Sequence, residues 1–365
     1  MSVPSPDQLA ATVLARTVEL AEIPAPTHDE ARRAARVSAW WQQDGHGGVD
    51  IDAAGNVWAR LREGHGPALL MCAHLDTVFG TEVDHHVRHE EGRMFGPSVG
   101  DDSIGVAALS AMAELLNPPG DGMPVWIAAT VGEEGLGNLC GVKSALASPP
   151  QPLGAVIAVE GNYLGRVSTV AVGSVRWRVE MRGPGGHAWE KSSAPSAVHE
   201  VAAAVHRLVS LTNGREGVSL NVGRMSGGEA INARAQSAWF EVDLRAGDPA
   251  ALQFLEAAAR AVLETSQGVE LHIEDLGNRP AGSIDPGHAL VVAATDALRD
   301  VGMEPRLAST STDANAALDA GLPAIAIGIT EGSGEHTDHE WIATQPVASG
   351  LRALAATVNA YGRRR

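Results

Sequence analysis

The chain has 365 residues, 44% apolar and 19% charged, a balance ordinary for a globular protein but a length beyond what one hydrophobic core usually organises. Its formal charge of -17 would repel phosphate backbones and anionic lipid, so nucleic acid and membrane surfaces are excluded as partners. No stretch approaches the roughly 18 consecutive apolar residues of a membrane span, and Met1 to Gln8 lack the basic-then-apolar signature of a secretory signal, so a soluble, cytoplasmic protein is expected.

In chain order, helical patterns over Pro6 to Leu20 and His28 to Gln42 open the sequence. Short apolar runs follow at Ala68 to Ala73, Val125 to Val131, Ala155 to Val159 and Ala324 to Ile329, with helical patterns between them. Near-continuous apolarity suits strands buried on both faces, and the alternation with helices is that of an α/β fold. Between Val175 and Gly277 the pattern changes to strand (Val175 to Arg182), helix (Ala197 to Leu211), strands (Val218 to Gly223 and Ala238 to Arg245), helix (Pro249 to Thr265) and strand (Val269 to Asp275). That βαββαβ order is a compact, ferredoxin-like unit inserted into the larger domain. The expected division is a catalytic domain of residues 1–172 plus 279–365, interrupted by a lid of residues 173–278. Cys72 and Cys140 lie inside or beside apolar runs, as reduced packing thiols do.

Each large-domain strand stops at a polar cluster: His74-Leu75-Asp76, Gly132-Glu133-Glu134, Glu160-Gly161-Asn162, and the glycine-rich Glu331 to Glu335 before His336. In open α/β sheets the functional crevice lies beyond these carboxyl ends. His74 and Asp76, two apart, point to the same side, so the Asp76 carboxylate can orient an imidazole that binds metal. Asp101 and Asp102 precede a helical run, Ile104 to Leu115; one capping carboxylate does not explain two, so Asp101 could bridge two cations while Asp102 caps the helix. Glu133 and Glu134 diverge, so one can ligate while the other acts as base. In the turn before His336, glycines such as Gly334 permit close backbone approach and can offer N–H groups to a carboxylate or oxyanion.

Taken singly, each of these residues has a plain alternative, a strand-end histidine, a helix cap or a solvated loop carboxylate. His339 rivals His336, and the stretch His85, His86 and His89 reads as solvated loop. Together, His74, Asp101, Glu134, Glu160 and His336 form a set of two imidazoles and three carboxylates without thiolate, which suits two Zn2+ ions, with Co2+ or Mn2+ as substitutes.

The segments Met71 to Val78, Gly100-Asp101-Asp102, Gly132-Glu133-Glu134-Gly135, Gly183-Pro184-Gly185-Gly186-His187, Ser311-Thr312-Asp313-Ala314-Asn315 and Glu335-His336-Thr337 resemble the co-catalytic zinc metallopeptidases. That family includes peptidase T, glutamate carboxypeptidase, acetylornithine deacetylase, succinyl-diaminopimelate desuccinylase and aminoacylase. The resemblance implies a mixed-sheet catalytic domain and a lid that also forms a homodimer. It implies that Asp101 bridges the two metals, that His74 and Glu160 complete one site, and that Glu134 and His336 complete the other. Glu133 would be the general base, Asp76 the support for His74, and His187 a group reaching into the partner's active site. Asn232 and Arg245 would contact a substrate carboxylate; the family's Asn-x-Ile-Pro reads Asn232-Ala233-Arg234-Ala235 here, which makes Arg234 a rival anion binder.

The expected activity is hydrolysis of amide bonds in small peptides, with an N-acyl-amino-acid deacylase as the alternative. A catalytically inactive binding member would need a lost ligand or base, and none is lost; a binuclear phosphoesterase would need a basic phosphate cradle, and none accompanies the set.

Overall fold

The computed structural model describes residues 5–116, 122–189 and 194–363. The chain divides into two compact units, Met1–Ala171 with Ser283–Arg365, and Val172–Gly282.

The first unit is built on a mixed sheet. Ala68–His74 lies between Val125–Thr130 and Leu153–Val159, parallel to both, and Ala324–Ile327 runs parallel to Leu153–Val159. Antiparallel additions flank this parallel centre: the hairpin Gly47–Ile51 and Val57–Arg62 on the Val125–Thr130 side, and Arg166–Ala171 against Ala324–Ile327. All seven residues of Ala68–His74 and all six of Val125–Thr130 are buried, which explains why their apolarity runs on instead of alternating. Leu69, Met71 and Ala73 enter one core, with Val13, Val37, Trp41, Leu109, Leu290 and Leu354 of the helices. Ala68, Leu70 and Cys72 enter a second core on the opposite face, with Ala145, Ala314 and Ala317. Burial of Leu69, Leu70 and Met71, each 0% exposed, contributes roughly 1.5–3 kcal/mol per side chain.

The helix Pro6–Ala21 begins at a capping box in which Ser5 and Gln8 exchange side-chain and backbone hydrogen bonds, with proline at the first helical position. The second helix is shorter than its pattern suggests. It starts at Ala31 and not His28, because His28 has φ +76°, and its N–H donates to Glu30 Oε1 at 2.8 Å. A small antiparallel sheet, ordered Gly332–Ser333, Trp341–Ala343, Arg93–Phe95, Arg88–Glu90, brings the segment before Asp101 to the segment around His336.

The second unit has the βαββαβ order: strands Gly173–Arg182, Val218–Gly227, Ser237–Ala246 and Glu270–Arg279 with helices Ala197–Val209 and Pro249–Glu264. Its four strands are antiparallel, in the order Val218–Gly227, Ser237–Ala246, Gly173–Arg182, Glu270–Arg279. One sheet face, carrying Val175, Trp177, Val179, Phe240, Val242 and Leu244, packs on Val201, Leu208, Leu255 and Leu263 of the helices. Among the described residues no helix is long and apolar enough to cross a membrane.

Candidate metal centre

The strand ends of the first unit converge. His74 closes Ala68–His74, Glu133 and Glu134 follow Val125–Thr130, and Glu160 follows Leu153–Val159. These three strands are adjacent in the sheet, so the residues past their carboxyl ends are neighbours by topology. His74 is 2% exposed, Glu133 and Glu134 each 5%, and Glu160 8%.

Asp101 sits at the centre. Its Oδ1 is 2.9 Å from His74 Nε2, and its Oδ2 is 3.2 Å from His336 Nε2. The same His336 nitrogen is 3.0 Å from Glu134 Oε1. Candidate ligand atoms fall within 4.8 Å of one another in three groups: His74, Asp101 and Glu160; Asp101, Glu134 and His336; and His74, Glu133 and Glu134. Asp101 thus belongs to two of them, with one oxygen turned toward each imidazole.

The electrostatics show what the cluster needs. Burial pushes the Glu160 carboxyl well above the usual carboxylate range, and neighbouring Asp102 adds to that. Burial acts the same way on Asp101, but hydrogen bonds with His336 and His74 outweigh it and hold that carboxyl well below its ordinary range. Hydrogen bonds with Asp101 and Glu134 raise His336 to about 10. His74 is also raised, its bonds with Asp101 and Asp76 overcoming the burial that would lower it. The imidazoles therefore act as counter-ions. Seven carboxyls, those of Asp76, Asp101, Asp102, Glu133, Glu134, Glu160 and Glu340, crowd this region with the buried guanidinium of Arg33. Two imidazoles and one guanidinium do not keep all seven ionised: burial holds the Glu160 and Asp102 carboxyls well above the usual carboxylate range and pushes Glu340 up to about 8. A pair of divalent cations would keep them ionised, and oxygen and imidazole nitrogen donors are the types that hold them.

Asp76 plays a broader part than orienting an imidazole. Its Oδ1 accepts from the Glu133 N–H and its Oδ2 from the Glu134 N–H, both at 2.9 Å, and Thr27 Oγ1 donates to Oδ2 at 2.9 Å. The nearest acceptor for His74 Nδ1 is the Asp76 carbonyl at 3.0 Å, with the carboxylate oxygen at 3.6 Å. Asp76 therefore fixes the Glu133–Glu134 main chain as well as the ring. Asp102 does not cap the following helix. Helix Ile104–Leu115 has no side-chain cap, and the Asp102 carboxylate accepts from the N–H groups of Gly161 at 2.8 Å and His74 at 3.3 Å. It pins the strand ends that carry His74 and Glu160 instead.

The remaining predicted residues are placed as follows. Gly334 has φ +83°, and a Cβ there would lie 3.0 Å from the His339 carbonyl, so the turn before His336 requires glycine. His339 pairs with Asp338 on the exposed surface, and among the described residues His85, His86 and His89 join none of the three groups. His187, Asn232 and Arg245 belong to the second unit. His187 is exposed, and its Nδ1 accepts from the Trp189 N–H at 3.2 Å. Asn232 is exposed and its carbonyl accepts from the Ala188 N–H. Arg245 pairs with Asp243 at 2.9 Å.

Sequence reasoning missed the buried frame behind the candidate ligands. Arg33, 0% exposed, donates through Nε to the Ile23 carbonyl at 2.8 Å, through Nη1 to the Leu75 carbonyl at 3.0 Å and through Nη2 to Ser98 Oγ at 2.8 Å. Glu340, also 0% exposed, accepts from the N–H groups of Ser98, Gly100 and Asp101. Thr130 Oγ1 donates to Asp313 Oδ2 at 2.6 Å. The available signal was an arginine on the apolar face of a helix, and a glutamate directly before the apolar Trp341-Ile342-Ala343.

The fold has clear relatives. Aminopeptidase PepT from Bacillus cereus is similar with a TM-score of 0.81 at 19% identity, over 96% of this chain and 98% of that one. A tripeptidase from Staphylococcus aureus gives 0.82 at 20% identity, over 97% and 99%. The YXEP protein of Bacillus subtilis, described as a dinuclear metal binding peptidase from the M20 family, gives 0.72 at 14% identity, over 98% and 99%. None of the curated proteins matches the chain. Residues 70–360, most of the sequence and all of the candidate ligand residues, match the profile of Peptidase family M20/M25/M40, and the chain belongs to that family of metal-dependent hydrolytic enzymes.

Proposed function

We propose that this enzyme hydrolyses the amide bonds of small peptides with two divalent cations, Zn2+ first among them, held by His74, Asp101, Glu134, Glu160 and His336. The observation that carries the proposal is the Asp101 carboxylate, whose two oxygens face two different imidazoles and which is common to two ligand groups. The family match supports peptide-bond hydrolysis, and the aminopeptidase and tripeptidase among the structural relatives point to short peptides.

When bound, such a cation pair makes hydroxide available near neutral pH and polarises a carbonyl. Glu133 is the base in this reading. Its main chain is anchored on Asp76 and its carboxylate lies in one group with His74 and Glu134, placed to take a proton from water and return it to the leaving amine nitrogen. The Asp76 anchor limits the freedom of that carboxylate, and the burial of Glu133 keeps bulk water from competing for the proton. For the second unit the reading rests on the resemblance: His187 stabilises a developing oxyanion from the partner of a homodimer, and Asn232 and Arg245 hold a substrate carboxylate. Two unpaired cysteines, Cys72 buried and Cys140 exposed, fit a cytoplasmic setting.

The test is a panel of di- and tripeptides beside N-acetyl and N-succinyl amino acids, given to cation-loaded wild type and Glu133→Gln. Peptides should be the better substrates, and the variant should keep its cations while kcat falls about 10²–10⁴-fold. Preference for the N-acyl compounds would make the protein a deacylase. Near-normal turnover by Glu133→Gln would remove Glu133 from the role of base.

A further inference from the structure

One buried side chain that the proposed chemistry does not use joins two of the ligand-bearing loops. Glu340 Oε1 accepts from the N–H groups of Gly100 at 2.6 Å and Asp101 at 2.9 Å, and Oε2 accepts from the Ser98 N–H at 2.9 Å. All three donors belong to the loop that presents Asp101. Glu340 itself stands four residues after His336, immediately before the strand Trp341–Ala343.

Its own main chain is tied on both sides. The Glu340 N–H donates to the Thr337 carbonyl at 3.2 Å, and the Gly96 N–H donates to the Glu340 carbonyl at 3.0 Å. The receiving loop is tight: Ser98 has φ +58°, which a non-glycine residue holds only under tertiary constraint. A Cβ at position 100 would lie 2.9 Å from Ile342 Cγ2 and 3.1 Å from Glu340 Oε1, so the backbone approaches the carboxylate more closely than a side chain would permit.

The three N–H groups favour the ionised carboxyl, against the burial and the neighbouring Asp101 that push it up to about 8. Three N–H groups in a buried loop need acceptors, and unmet ones are costly. A carboxylate has two acceptor oxygens and no donor. Glutamine has the same shape, but its NH2 would face one of the three N–H groups, donor against donor.

We infer that Glu340 is a positioning residue for the metal centre. It orients the Asp101 carboxylate through that loop's amides, and through its short tether to His336 it sets the approach of His336 Nε2 to Asp101 Oδ2, 3.2 Å in this structure. The inference rests on Asp101 and His336 being cation ligands, as proposed above.

The test uses the full chain, stripped of metal and titrated with Co2+, with affinity from chelator competition and coordination from the visible absorption of the ion. Glu340→Gln should bind Co2+ about 10–100-fold more weakly than wild type, the range seen when partners of metal ligands are lost, and its absorption bands should differ. Melting of the metal-free proteins separates this from general loosening. A Glu340→Gln chain that melts lower but takes up two Co2+ ions with wild-type affinity and spectrum overturns the inference. Should that variant not fold, Glu340→Asp, which keeps the charge on a shorter stem, undergoes the same titration, with weaker binding expected and wild-type binding again overturning the role. Wild type that takes up fewer than two Co2+ ions overturns the metal-centre reading and this inference with it. Two ions in wild type and identical binding by the variants overturn this inference alone.

Discussion

Replacing Arg33 with Met tests whether the buried frame behind the candidate ligands holds the first unit together. The side chain is 0% exposed and makes three short hydrogen bonds, to the Ile23 carbonyl at 2.8 Å, the Leu75 carbonyl at 3.0 Å and Ser98 Oγ at 2.8 Å. Burial lowers the guanidinium to about 10, while Asp76, Glu340 and Asp102 act to raise it, so it stays charged at neutral pH. Removing one partner of a buried charge network costs about 3–5 kcal/mol, and a buried Met side chain restores about 1.5–3 kcal/mol through apolar contact. The expected net loss is about 2 kcal/mol, a large share of the stability of a typical domain. Urea unfolding followed by tryptophan fluorescence reads this directly, since Trp40 and Trp41 lie on the same helix as Arg33. Arg33→Lys should recover only part, because one ammonium cannot replace the planar fork that reaches two carbonyls and a hydroxyl. An Arg33→Met midpoint corresponding to less than about 1 kcal/mol of lost stability would refute the reasoning.

Two further outcomes follow from buried charge. His46 lies with its side chain 4% exposed, and burial lowers its pKa despite Asp44 at 3.9 Å, which acts to raise it. The unfolded chain then binds more protons than the folded one below about pH 6.5, so stability is full above that value and lost as pH falls through the folded pKa. Between pH 7.5 and 5.5, wild type should lose more melting temperature than His46→Gln; equal losses would show that His46 carries none of the dependence. Chelation should lower the melting temperature of wild type and added cation should restore it, since the crowded carboxyls of Asp101, Glu134 and Glu160 lose their counter-charge. One site at 100-fold excess over Kd is worth about 2.7 kcal/mol. A melting temperature indifferent to chelator would contradict this.

The parts of the fold most legible in the sequence were those where burial imposed a pattern. Ala68–His74 and Val125–Thr130 are covered on both faces, so their apolarity is continuous and their polar stops at His74 and at Glu133-Glu134 stand out. The strands Gly47–Ile51 and Arg88–Glu90 expose polar side chains and carry no such run, and Arg166–Ala171 interrupts its run with the buried polar pair Ser168 and Thr169. The same contrast holds in the site. His74, Asp101, Glu134, Glu160 and His336 announce themselves by following strands and glycines. The partners of Glu340 and of the Asp102 carboxylate are backbone N–H groups, which look alike at every position of a sequence. Asp102 was legible as an acidic residue before a helix, yet what it accepts from is fixed only when Gly161 and His74 meet in the folded sheet. Arg33 resembles any arginine of an amphipathic helix until Leu75 and Ser98 are brought over it.

The most direct measurement is the cation content per folded chain after loading and removal of excess ion, compared between wild type and Asp101→Ala. Asp101 is shared by the group with His74 and Glu160 and the group with Glu134 and His336, so the expected result is two cations in wild type and at most one in the variant. Fewer than two in wild type, or two retained by Asp101→Ala, would contradict a two-cation centre bridged by this carboxylate.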